Sequence, residues 1–129
     1  MSLKLFAPKR YWELTKELRE AITNGCGTGG WKGKLVPDHL WFLNIKEACN
    51  IHDYMYYVGE TIQEKDEADR VFLNNMLRII DFAGGLWILQ RRRRRLAIIY
   101  YEAVKNFGGP AFWASKNKPE EYRLIEVLA

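Results

Sequence analysis

Cys49, His52, Asp53 and Tyr56 stand at i, i+3, i+4 and i+7, a spacing that lays all four along one side of a helix. An imidazole there can do proton chemistry if a neighbour fixes its tautomer. Asp69 is suited to that task, because it falls in line with Phe72, Leu73, Met76 and Ile80 on the apolar stripe expected of a following helix. A carboxylate on such a stripe is costly to bury without a partner. Gly59 lies seven residues after His52, and Asp69 eight residues after Thr61. At about 1.5 Å per residue both sit roughly 10 to 12 Å from the intervening turn, so they should face each other. An aspartate that accepts from one imidazole nitrogen leaves the other to take a proton. Asp53 points about 100° away from His52, better aimed at the glycine-rich stretch GCGTGG, Gly25 to Gly30. Unpaired peptide carbonyls in such a loop are hard oxygen ligands suited to Ca²⁺ once a carboxylate completes the shell.

These groups need helices to position them. Tyr11, Leu14, Leu18, Ala21 and Ile22 follow Pro8 at three- and four-residue steps, so Lys9 to Thr23 reads as one amphipathic helix ended by Asn24-Gly25. The stretch Gly25 to Leu43, with five of the ten glycines and Pro37, should be irregular. Asn44 followed by Glu47 has capping-box spacing, and Gly59 is a natural stop. Thr61 with Glu64 repeats the signal for a helix running to about Phe82, before Ala83-Gly84-Gly85. A turn this short makes the two helices an antiparallel hairpin. A further helix should span Leu86 to Phe107 and end at Gly108-Gly109-Pro110, and Pro119 should open a short last one. No segment alternates well enough to be a strand, so the expected class is all-α, in one domain over residues 1–129.

Five of the twenty basic residues form one run, Arg91 to Arg95; removing its five charges takes the net charge from +4 to −1. The chain carries one basic cluster rather than the spread of Lys, Arg and aromatics expected of a nucleic-acid-binding face. Leu89, Leu96, Tyr100, Val104 and Phe107 form the inner stripe of that helix, with Arg93 among them, either pairing with an acid or snorkelling outward. The other arginines make an exposed band, more often a solvated face than a binding site, although with Trp87 nearby it suits an anionic phospholipid surface. No apolar run reaches the roughly eighteen residues of a membrane span. Leu5 to Ala7 is too short for a signal-peptide core.

GCGTGG, then CNIHDYMY, then ADRVF together resemble the secreted phospholipase A2 superfamily, over about Gly25 to Ile80. The matching residues are Cys26-Gly27-Thr28-Gly29-Gly30, Cys49-x-x-His52-Asp53 with Tyr56, and Asp69-Arg70. The resemblance implies a small helical hydrolase that cleaves the sn-2 ester of glycerophospholipids with Ca²⁺ as cofactor. His52 would be the general base for water, oriented by Asp69, with Tyr56 bonded to that aspartate. Asp53 and the carbonyls of Gly25, Gly27 and Gly29 would hold the ion, and the Gly27 N–H would help bind the oxyanion. It also implies a Cys26–Cys49 disulfide tying the loop to the helix, and a secreted or extracellular location. Ala48, Tyr54 and Met55 stand where animal enzymes have further cysteines, and the β-wing between His-Asp and the second aspartate is missing, as in short bacterial and fungal members. IHDYMY with a following AD is also similar to the viral capsid phospholipases, which would fit a phage or prophage origin.

Plainer readings compete. A His-Asp dipeptide on a helix is common, a lone glycine-rich loop is weak, and a buried aspartate can simply cap or pair; their joint order favours a site. Cys26 and Cys49 could equally be buried thiols. His39 reads as a loop histidine, without zinc-site spacing to Cys49 and His52. A catalytically silent lipid-binding or toxin-like module is the alternative function, and nucleic-acid binding through the arginine run is a weaker third.

Overall fold

The computed structural model describes residues 2–22, 37 and 39–114. These are mostly helical. In chain order they form α1 (Lys9–Glu13), α2 (Lys16–Ile22), β1 (His39–Leu40), β2 (Leu43–Asn44), α3 (Lys46–Val58), α4 (Ile62–Ala83), α5 (Trp87–Phe107) and α6 (Gly109–Ala114). The expected boundary at Thr23, Asn24 and Gly25, most of the glycine-rich loop, and the short helix at Pro119 lie outside the described residues.

The single first helix expected from periodicity is instead two. Leu14 is extended (φ −67°, ψ 142°), and the Thr15 hydroxyl accepts from the N–H of Leu18 at 3.2 Å. Threonine there caps a new helix start, and a local hydrogen bond outweighs a continuous apolar period. Tyr11 of α1 is fully buried and donates to Glu47 Oε1 at 2.8 Å. That contact also alters the expected capping box at Asn44. The helix starts one residue later, with Ile45 as N-cap, because Glu47 serves Tyr11 while Asn44 Oδ1 accepts from the Lys46 N–H at 2.7 Å.

A second departure is the small sheet, which the sequence did not suggest. His39 pairs with Asn44 and Leu40 with Leu43, and the turn between them places Trp41 and Phe42 at φ 46° and 71°. Two-residue hairpin turns of this kind favour Asn-Gly; bulky side chains at positive φ are rare and cost about 1–3 kcal/mol each. Arg93 helps to hold the turn. Its Nη2 donates to the Trp41 carbonyl at 2.9 Å and its Nε to that of Leu40 at 3.2 Å. Buried Arg93 is therefore satisfied by carbonyls, neither pairing with an acid nor reaching out to solvent. Tyr100 adds a bond from its hydroxyl to the His39 carbonyl at 3.1 Å.

The expected Thr61 cap forms, its Oγ1 accepting from the Glu64 N–H at 3.1 Å, and α4 runs to Ala83. α4 packs against both α3 and α5. The main core joins Cys49 of α3, Phe72, Met76 and Ile80 of α4, and Ala97, Tyr100 and Val104 of α5, together with Leu40 and Ile45. Phe107, expected on the inner stripe of α5, is instead 67% exposed, and the last buried residue of that stripe is Val104. Beyond Gly108 the helix restarts as α6, with Pro110 in its first turn where a missing N–H costs nothing. Across the bundle, Asn75 clamps the amino-terminal segment: its Oδ1 accepts from the Phe6 N–H at 2.7 Å and its Nδ2 donates to the Phe6 carbonyl at 2.8 Å. No helix among the described residues is long and apolar enough to cross a membrane.

Candidate functional site

α3 and α4 bring His52, Tyr56 and Asp69 together. One turn of helix separates His52 from Tyr56, so both side chains leave α3 toward the same carboxylate. His52 Nε2 lies 2.7 Å from Asp69 Oδ1, and the Tyr56 hydroxyl donates to that same oxygen at 2.7 Å. Since the ionised carboxylate only accepts, Nε2 carries the hydrogen. The imidazole is fully buried, between the rings of Tyr56 and Phe72, whose centroids lie 4.1 and 4.8 Å away.

Asp69 is 1% exposed. Burial pushes its carboxyl up, but the hydrogen bond of His52 and, when the ring is protonated, its charge, with the bonds of Lys65 and Tyr56, outweigh burial and hold it below the ordinary carboxylate value. Burial, then the charge and hydrogen bond of Asp69, push the Tyr56 phenol far up, so Tyr56 remains a neutral donor. Lys65, 3% exposed, supplies what the sequence reading missed. Its ammonium donates to Asp69 Oδ2 at 2.8 Å and to the carbonyls of Val104 and Lys105 at 3.3 and 3.4 Å. Those carbonyls belong to the last turn of α5, the end of a helix that favours a cation. The visible signal was the i, i+4 spacing of Lys65 and Asp69 within one helix; the α5 carbonyls left no local signal.

Two glycines let the elements close on this cluster. A Cβ on Gly108 would sit 2.5 Å from the Tyr56 hydroxyl, and one on Gly59 would sit 2.9 Å from the ring of Phe112. Phe112 of α6 is fully buried and meets Tyr56 edge-on, centroids 5.2 Å apart.

Asp53, the next residue along α3, is half-buried. Cys49 is disulfide-bonded; the chain's other cysteine, Cys26, lies outside the described residues. So do Gly25, Gly27 and Gly29, the remaining members of the expected ion-binding set. Among the described residues, then, the structure joins His52, Tyr56 and Asp69, adds Lys65 to them, and sets Asp53 beside them in sequence. Comparison of the chain with protein-family models, with curated proteins and with solved structures gives no match.

Proposed function

We propose that the protein hydrolyses the sn-2 ester of glycerophospholipids in a Ca²⁺-dependent reaction, as a phospholipase A2-like enzyme acting in an oxidising, extracellular setting. In this reading α3 and α4 are the antiparallel hairpin that carries the site, and the glycine-rich stretch is its calcium loop. The observation that supports it is the 2.7 Å contact between His52 Nε2 and a buried Asp69. With Nε2 committed to Asp69, Nδ1 takes a proton from water as the water oxygen attacks the ester carbonyl. The imidazolium then returns that proton to the departing glycerol oxygen. Asp69 remains ionised throughout, stabilising the imidazolium, while Tyr56 and Lys65 hold the carboxylate still.

Asp53 is the described member of the ion-binding set, and its half-buried carboxylate is a hard oxygen donor that fits Ca²⁺. The carbonyls of Gly25, Gly27 and Gly29 would complete the set, and the Gly27 N–H would serve the oxyanion. Bound calcium supplies positive charge that polarises the ester carbonyl. The disulfide at Cys49 suits an oxidising compartment.

A catalytically silent lipid-binding or toxin-like module is the second reading, favoured by one observation: His52 has no exposed surface, as a purely structural pair would. Calcium titration of fatty-acid release from phospholipid separates the two. His52→Gln should keep calcium binding by isothermal titration while hydrolysis falls about 10²-fold or more. Asp53→Asn should weaken the metal first, since it removes the one formal charge from a site otherwise made of carbonyls. Hydrolysis that persists in excess EGTA, or full activity in His52→Gln, would rule out the mechanism. No hydrolysis at any calcium concentration would favour the silent module.

A further inference from the structure

The least expected surface of the molecule lies where the β1–β2 turn meets α5. Phe42 is 91% exposed and Trp41 44% exposed, both at positive φ, so the fold presents two large aromatics on a backbone that other residues would occupy more easily. The guanidinium of Arg92 lies over the Trp41 ring, 5.5 Å from its centroid, and joins the turn to α5. Along α5, Ile88, Arg92, Arg95 and Ile99 follow at i, i+4, i+7 and i+11, which is one stripe of a helix. All four are exposed, Ile88 at 47% and Ile99 at 54%. The core is reached by a different stripe, through Arg93, Ala97, Tyr100 and Val104. α5 thus meets the core through a mainly apolar stripe and carries two arginines flanked by two isoleucines on its outer side; over its whole length it holds five arginines and Lys105 against a single acid, Glu102.

We propose that the Trp41–Phe42 turn and the Ile88, Arg92, Arg95, Ile99 stripe of α5 form a docking surface for an anionic phospholipid interface, with the turn entering the headgroup region and the arginines meeting lipid phosphates. Charge complementarity and side-chain type select this occupant. Arg92 and Arg95 match an anionic surface, while an aromatic tip and branched aliphatics beside cations match the apolar boundary just beneath it. A nucleic acid would use the arginines but leave Phe42, Ile88 and Ile99 in water. A second copy of the chain, packed by a two-fold axis, would set this arginine stripe against itself. The inference deepens the phospholipid reading by naming the face that meets the lipid, and its test needs no turnover.

Full-length protein is sedimented in EGTA with vesicles of phosphatidylcholine alone and of phosphatidylcholine with phosphatidylglycerol. Binding should be strong only with the anionic lipid and should weaken as salt rises. Asparagine tolerates the left-handed backbone, so Phe42→Asn should fold at least as well as wild type, as its circular dichroism and urea midpoint would register, yet lose about tenfold in partitioning. Arg92→Gln with Arg95→Gln should lose about thirtyfold at low salt. Phe42→Asn partitioning like the wild type would overturn the proposal, as would equal binding to neutral vesicles. Duplex DNA binding that only the arginine substitutions weaken, without vesicle binding, would assign the stripe to nucleic acid. A dimer in sedimentation equilibrium that these substitutions dissociate would assign it to self-association. Vesicle binding with no hydrolysis in calcium would leave this surface standing and count against the esterase reading alone.

Discussion

Three side chains donate to Asp69: His52 and Tyr56 to one oxygen, Lys65 to the other. The carboxylate's folded value lies below its ordinary one. The stability it contributes is therefore fully present above the unfolded-state value near 3.9 and is lost as pH falls below that value toward the folded one. Urea midpoints measured against pH should fall in that acid window for the wild type, and the part of the fall due to this group should be missing in Asp69→Asn. An identical acid profile in the two proteins would mean that Asp69 is not held ionised. Lys65→Met should cost roughly 3–5 kcal/mol, because it leaves a buried carboxylate with one cation fewer. Adding Asp69→Asn should recover part of that loss, which a double-mutant cycle in urea would measure. His52 and Asp69 could be paired from sequence alone because helix rise is fixed and the turn between them is short. Lys65 could not, since a lysine in a helix is ordinarily a solvated charge, and two of its partners come from a segment 39 and 40 positions away.

At the scale of elements, Gly108 and Gly109 are neighbours with opposite duties. Gly108 is helical in φ and ψ (−81°, −9°), but a Cβ there would strike both the Val104 carbonyl oxygen and the Tyr56 hydroxyl. Gly109 opens α6, and a Cβ there would meet nothing within 4 Å. Gly108→Ala should therefore cost about 1–3 kcal/mol by overpacking, while Gly109→Ala should be neutral or slightly stabilising. Paired urea denaturations check this; equal effects at the two positions would mean that α5 does not close on Tyr56. The sequence marked this pair only as a helix stop, because a close approach between distant elements leaves no local pattern. The break at Leu14 was hidden for a related reason: Tyr11, Leu14 and Leu18 keep a helical period straight through it. The Trp41–Phe42 turn was hidden because its residues are those least expected at positive φ, whereas the caps of α4 and the extent of α5 were plain in Thr61, Glu64 and the glycines.

Across the whole molecule, α4 is the shared member. It meets both α3 and α5 through the Asp69 cluster and again through the main core, and it carries Asn75, which grips the amino-terminal segment. The charge is also divided at this scale, with the arginine run gathered on α5. The helical class and the position of the histidine–aspartate pair were legible because they follow from periodicity and turn length. The amino-terminal clamp was not, since Asn75 sits within the apolar stripe of α4 like any misplaced polar residue until its partner, the backbone of Phe6, is known.

That clamp implies an order in time. The helix contacts around Asp69 join consecutive elements, α3 with α4 and α4 with α5, so they close short loops and form early. Phe6 reaches Asn75 across 69 positions, and so long a closure is rewarded only once α4 is already in place. In stopped-flow chevrons Asn75→Ala should speed the unfolding limb and leave the folding limb nearly unchanged, whereas Ala68→Gly, within buried α4, should slow folding. A slowed folding limb in Asn75→Ala would reverse the order. A refolding chain thus gains its buried histidine–aspartate pair before its amino-terminal segment docks, and a molecule whose amino terminus has transiently undocked keeps that pair assembled.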